Sequence, residues 1–267
     1  TMATTNPSGT MERILRLMSE KKASDVYLSA NSPALIKING QCVPINNQSL
    51  PLDAPRSLLA EILPPERMAE LDAEGELNMG FPLAGVGRFR VSAMRQRGSI
   101  AAVFRYITVD VPPLAELFLP PILGDLIMEK RGLVLMVGAT GAGKSTTLAS
   151  MIDHRNAQVS GHILTIEDPV EFLFKNKRSI INQREIGMDT ADFKTALRRV
   201  LRQDPDVILI GEMRDEETVQ TALSAAETGH LVFSTVHTVD AAETVNRLIE
   251  FFPPHMHDQV RAMIAGT

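Results

Sequence analysis

Cysteine occurs once in these 267 residues, so neither an internal disulfide nor a cysteine-based zinc site can form, and Cys42 reads as a small strand-filling residue. No apolar run approaches the roughly 20 residues of a membrane span, and no charged start leads into the apolar stretch of a secretory leader. Those absences set the expectation of a cytoplasmic protein. Positive charge is also short: 27 Lys and Arg stand against 32 Asp and Glu, a net charge of −5. That balance argues against nucleic acid as a partner of the whole surface and leaves room only for local basic patches.

What is present begins with glycine. Gly138-Ala139-Thr140-Gly141-Ala142-Gly143-Lys144-Ser145 fits the P-loop pattern GxxxxGK[ST] and follows the apolar run Leu133-Val134-Leu135-Met136-Val137. Glycines let the backbone turn with positive φ and point successive N–H groups inward, and a following helix offers its N-terminal amides to phosphate. Gly138, Thr140, Gly141, Ala142, Gly143, Lys144, Ser145 and Thr146 are therefore candidate nucleotide-binding residues. Lys144 is expected at the β/γ-phosphates and Ser145 on Mg²⁺, with ATP and Mg²⁺ as the implied cofactors.

The length exceeds that of one compact domain, and the patterning divides accordingly. Residues 1–10 lack periodicity and read as a disordered tail. Residues 11–108 read as a small α+β domain, with a helix around Ile14–Met18, strands at 23–28 and 34–38 around an Asn39-Gly40 hairpin turn, and helices near 53–63 and 65–73. Strands at 88–93 and 100–107 complete it. Period-two alternation puts Phe89, Val91 and Ala93 toward the core and Arg88 and Arg90 on the other face, for which a solvated strand face is one reading. Prolines 112, 113, 120 and 121 mark 109–121 as a stiff linker. From 122 to 267 helices (122–130, 144–154, 192–203, 215–227, 240–250) alternate with strands (132–137, 162–167, 206–210, 230–236). That rhythm predicts an α/β domain on a largely parallel sheet.

Ligands of such sheets bind beyond the carboxyl ends of the strands. There the sequence places Glu167, Asp168 and Glu171 after one strand, Glu212 after Val207-Ile208-Leu209-Ile210, and His237 after the strand that His230 opens. Glu212 suits the metal shell, through water, because Mg²⁺ takes few direct carboxylates. Glu171 is the first choice for polarising an attacking water, with Asp168 and Glu167 behind it, and His237 is suited to donate to the γ-phosphate. His230 is either part of this set or a structural residue beside the sheet. Helix 192–203 is expected to bury Phe193, Ala196, Leu197, Val200 and Leu201 and to expose Lys194, Arg198 and Arg202. A solvated basic face explains those three; alternatively Arg198 or Arg202 reaches a neighbouring subunit's phosphate, because the helix runs back toward the amino ends of the strands.

The P-loop, Thr165-Ile166-Glu167-Asp168-Pro169-Val170-Glu171, Asp206–Asp215 and Ala226–Thr238 stand in the order and spacing of the secretion-type ATPases, and look like that family's Walker A, Asp box, Walker B and His box. With Asn182-Gln183-Arg184-Glu185-Ile186-Gly187 the chain resembles type IV pilus retraction ATPases of the PilT/PilU type, leaning to PilU in Arg131–Leu135 and Ser150–Asn156. The resemblance implies a PAS-like amino-terminal domain, a RecA-like ATPase domain and a homohexameric ring. It further implies that Arg88 and Arg90 help hold nucleotide, that a related retraction ATPase and the inner-membrane pilus platform protein are partners, and that the site of action is the pilus base. The family pattern continues past Thr267 with helical elements. Two alternatives stay open: an assembly ATPase of type II secretion or DNA uptake, and a weak ATP-binding regulator of a partner motor.

Overall fold

The computed structural model describes residues 9–107, 110–139 and 141–267, and the chain divides into two compact units, Thr1–Thr108 and Val109–Thr267. Of the expected tail, residues 1–8 lie outside the described residues, whereas Gly9 caps and Thr10 opens the first helix.

The first unit runs α1 (Thr10–Glu20), β1 (Asp25–Leu28), β2 (Pro33–Ile38), β3 (Gln41–Ser49), α2 (Ala54–Ala60), α3 (Pro65–Glu74), β4 (Glu76–Leu83), β5 (Gly87–Gln96) and β6 (Ser99–Ile107). Its sheet is antiparallel in the order β3-β2-β1-β6-β5-β4. Met11, Leu15 and Met18 of α1, Leu59 of α2 and Leu71 of α3 form one core with Val26, Phe89, Val91 and Phe104. Phe89, Val91 and Ala93 are buried as the alternation predicts, and Arg88 and Arg90 stand half-buried on the other face, Arg90 in register opposite Arg105. Cys42 does sit in a strand, yet its side chain is exposed because β3 is an edge strand.

The second unit holds a 3-10 turn at Leu114–Leu117, then α4 (Ile122–Leu126), β7 (Gly132–Val137), α5 (Lys144–Gln158), β8 (His162–Glu167), β9 (Ile180–Glu185), α6 (Phe193–Val200), β10 (Val207–Ile210), α7 (Glu216–Glu227), β11 (Leu231–Val236), α8 (Ala241–Glu250) and α9 (His257–Gly266). Part of the proline-rich stretch folds with it, Leu114 packing against the α5-side core. The sheet, ordered β7-β11-β10-β8-β9, is parallel throughout. Buried on both faces, β10 and β11 read as continuous apolar runs. Val207, Leu209 and Phe233 face Leu148, Met151 and Ile152 of α5, while Ile208, Ile210 and Val232 face α6, α7 and α8.

Asp192, Asp215 and Asp240 cap α6, α7 and α8, each accepting from the N–H three residues on. Helix α6 is shorter than expected. It ends at Val200, and a 3-10 turn over Leu201–Gln203 carries Leu201 out to 40% exposure, because three residues per turn rotate it off the α-helical stripe. Phe193 is only partly buried.

Gly87 has φ 152°, and a Cβ built there would lie 2.8 Å from the Tyr106 ring, which packs edge-on against Phe89 and donates from its hydroxyl to Val86 O. Gly87→Ala is therefore expected to destabilise the first unit by about 1–3 kcal/mol, read as a lowered melting temperature. A variant melting with wild type would show that the ring yields freely.

Candidate nucleotide site

The parallel register decides what meets at the P-loop. Val137 pairs with Val236, so Gly138 and His237 leave neighbouring strands side by side. Gly138, Gly141 and Gly143 have φ of 142°, 80° and 91°, and Gly143 caps α5. Those angles curl the loop over the helix N-terminus. Lys144 Nζ donates to Gly138 O at 2.7 Å and Ala139 O at 3.0 Å, so its charge lies within the loop. Ser145 and Thr146 stand half-buried in the first turn of α5; Thr140 lies outside the described residues. A glycine-lined turn, a lysine held inside it and open helix amides fit a polyphosphate chain.

On the adjoining strands β8 and β10 a charged network closes the same edge. Arg214 Nε donates to Glu212 Oε2 at 2.7 Å, and its Nη1 lies 3.6 Å from Asp168 Oδ2. His237 Nε2 lies 3.4 Å from Glu212 Oε1. Thr235 fastens the turn after β10, donating from Oγ1 to Gly211 O at 2.7 Å and accepting from Met213 N at 3.1 Å. Arg214 and Thr235 were not singled out from sequence. An arginine two positions past a strand-end acid is the signal that marks the first, since the turn folds it back onto that acid. Among the described residues no group of three or more His, Cys, Asp or Glu could hold a metal ion. The residues present fit Mg²⁺ as a cation taking most of its ligands from phosphate and water, with Ser145 and Glu212 the protein groups available.

Other candidates lie elsewhere. His230 sits at the amino end of β11, its Nδ1 3.0 Å from Ala225 O and its own carbonyl accepting from Gly132 N, a whole strand length from His237. Within this chain its ring nitrogen meets the main chain beside the sheet. Lys194 and Arg198 pair with Glu217 of α7. Arg202 is exposed on the 3-10 turn, whose Gln203 O meets His162 Nδ1 at the amino end of β8. Six residues of strand, roughly 20 Å, separate that end from the P-loop edge. Arg88 and Arg90 belong to the first unit.

Glu167 closes β8 almost out of contact with solvent. Its carboxylate accepts from Thr165 Oγ1 at 2.7 Å and from Gln183 Nε2 at 3.4 Å, and the Glu171 main-chain N–H points to it. Burial outweighs those bonds and, with the neighbouring Glu171 charge, pushes its pKa up to about 7. Glu171 itself is exposed on the irregular segment that follows. Because the folded-state pKa lies above the ordinary carboxylate value, the native protein holds a proton between about pH 5 and 7 that the unfolded chain has released, and stability falls as pH rises through that window. At one unit per 1.36 kcal/mol the loss is about 3 kcal/mol. Glu167→Gln should flatten the dependence of melting temperature on pH between 5 and 8; parallel curves for the two proteins would rule out a protonated Glu167.

Residues 89–264 match the Type II/IV secretion system protein family. The chain is 44% identical over 93% of its length to the type IV pilus ATPase PilU of Pseudomonas aeruginosa, of which it spans 65%, and 43% identical over 95% of its length to that organism's type IV pilus retraction ATPase PilT, of which it spans 74%. A crystal structure of the pilus retraction motor PilT with bound ADP superposes with a TM-score of 0.91 at 44% identity, covering 97% of this chain and 76% of that one. The fold of this chain is that of the PilT crystal structure, and the chain belongs to the type II/IV secretion system protein family.

Proposed function

We propose that this chain is the ATP-hydrolysing part of a type IV pilus retraction motor, acting in the cytoplasm at the inner-membrane pilus base. One observation carries the reading: the P-loop with Lys144 inside it and the Asp168, Arg214, Glu212 and His237 network leave the same edge of one parallel sheet. The similarity to PilU and PilT, and to a PilT structure holding ADP, supports the direction of the work. In this reading the P-loop amides and Lys144 hold the polyphosphate, and His237 donates to the terminal phosphate. Glu171 accepts a hydrogen bond from the attacking water and so aims its oxygen at phosphorus, with Asp168 and Glu167 beside it. Ser145, and Glu212 through water, would hold Mg²⁺, which when bound offsets phosphate charge.

The chain works as a homohexamer in this proposal, alongside a related retraction ATPase and the pilus platform protein. Arg198 is occupied by Glu217 of its own chain, which leaves Arg202 the better candidate for reaching a neighbour's phosphate. A group supplied in trans contributes about 10³–10⁵ in rate in other phosphoryl-transfer systems, enough to tie hydrolysis to assembly.

Lys144→Ala should abolish nucleotide binding, whereas Glu171→Gln should keep affinity and lose turnover by at least about a hundredfold, measured by fluorescent-nucleotide titration and phosphate release. Equal affinity of wild type and Lys144→Ala would remove the P-loop from the reading. Full turnover in Glu171→Gln would pass its task to Glu167 or Asp168.

Assembly dependence is open to a mixing assay. Arg202→Ala and Lys144→Ala chains, each inactive alone, should regain part of the activity when combined if the arginine serves the adjoining site. A dilute monomer with full turnover would exclude the arrangement.

A further inference from the structure

Strands β8 and β9 are adjacent and parallel, yet residues 168–179 that join them contain neither helix nor strand. A helical crossover satisfies its own N–H and C=O groups; an irregular one must hand them to side chains or water. Here side chains take them in order. Glu185 Oε2 accepts from Val170 N at 3.1 Å, and the Glu167 carboxylate receives the Glu171 N–H. Gln183 Nε2 donates to Phe172 O at 2.8 Å, and Gln183 Oε1 accepts from Phe174 N at 2.9 Å. Farther on, Asn156 Nδ2 donates to Lys175 O and Asn156 Oδ1 accepts from Lys177 N. Glu171 is thus exposed while the residues on both sides of it are tied to β9.

Gln183 and Glu185 are two apart on that strand and so project from one face, toward the crossover; Glu185 is 3% exposed. This use of a buried carboxylate and a half-buried amide goes beyond what strand pairing requires. We propose that Gln183 and Glu185 are positioning residues that, through the main chain at 170, 172 and 174, hold the Glu171 carboxylate where it aligns water. The inference rests on the reading of Glu171 given above. A misplacement of about 1 Å at a reacting group can cost on the order of a hundredfold in rate.

The test is steady-state ATP turnover and nucleotide affinity of the intact protein carrying Gln183→Ala, Glu185→Ala or Glu185→Gln. The alanine variants should lose about ten- to a hundredfold in kcat with KM and affinity within about threefold of wild type. Glu185→Gln keeps an oxygen for Val170 N and should recover most of the rate. Unchanged kcat in Gln183→Ala, or equal losses in both Glu185 variants, overturns the proposal, as does a kcat loss accompanied by lost nucleotide binding. Glu171→Gln run alongside separates the two levels: a fully active Glu171→Gln defeats the underlying reading, whereas an inactive Glu171→Gln beside a fully active Gln183→Ala defeats this inference alone. Should Gln183→Ala not fold, Gln183→Glu, which keeps the acceptor for Phe174 N and loses the donor to Phe172 O, decides by the same criteria.

Discussion

The parallel pairing of β7, β11, β10 and β8 is the constraint on which the candidate site depends. Parallel strands all end on one edge, and the registers Val137 with Val236, Ser234 with Ile210 and Ile210 with Ile166 align those ends to within a residue or two. Each strand can then deliver one polar group to a common place without a long loop. A single-residue slip of β10 would turn Ile208 and Ile210 from the α6–α8 layer toward α5 and carry Glu212 with them. Apolar packing on both faces therefore sets the positions of charged groups that touch neither face.

A second consequence of the topology is the unusual crossover from β8 to β9. Adjacent parallel strands normally borrow a helix to return the chain, and the helix supplies its own hydrogen bonds. Without one, the main chain at 170–178 relies on Glu185, Glu167, Gln183 and Asn156, each of which presents oxygen or amide nitrogen at 2.8–3.1 Å or, for Glu167, directly to the Glu171 N–H. Burying Glu167 raises the energy of its charged form, and the three hydrogen bonds it accepts only partly offset this. A carboxylate carrying such a penalty beside an exposed Glu171 sets the two acids apart electrostatically, although they stand four residues from one another.

Periodicity and punctuation in the chain determined much. The alternating 88–93 segment and the apolar runs of β8, β10 and β11 each express a local rule, side-chain period in the first and burial on two faces in the others. The P-loop is legible for the same reason, since its glycines, lysine and serine act within a few residues of one another. The strands that patterning did not name, β4 and β9, and β3 beyond its hairpin turn, lie at sheet edges. An edge strand has one partner and often one wet face, so nothing forces an apolar rhythm on it; β3 is exposed along nearly all its length, and β4 holds Gly80 and Pro82. Helix α9 carries an equally weak pattern, with one buried residue, Val260.

Tertiary structure decided the rest, and the deciding quantity was distance across strands. The full length of β11 puts His230 and His237 at opposite edges of the sheet, and strand order sets which neighbours each edge holds. Arg198 and Arg202 share one face of a helical wheel, but α7 brings Glu217 against Arg198 and the α-helix ends at Val200. Arg214 reached Asp168, and Gln183 and Glu185 reached the crossover main chain, only when β8, β9 and β10 lay side by side. The sequence by itself determined which residues could bind phosphate or carry a proton, because those are properties of side chains and short turns. Which of them meet at one edge of the sheet was decided by strand order and register, which follow from burying apolar surface over the whole sheet.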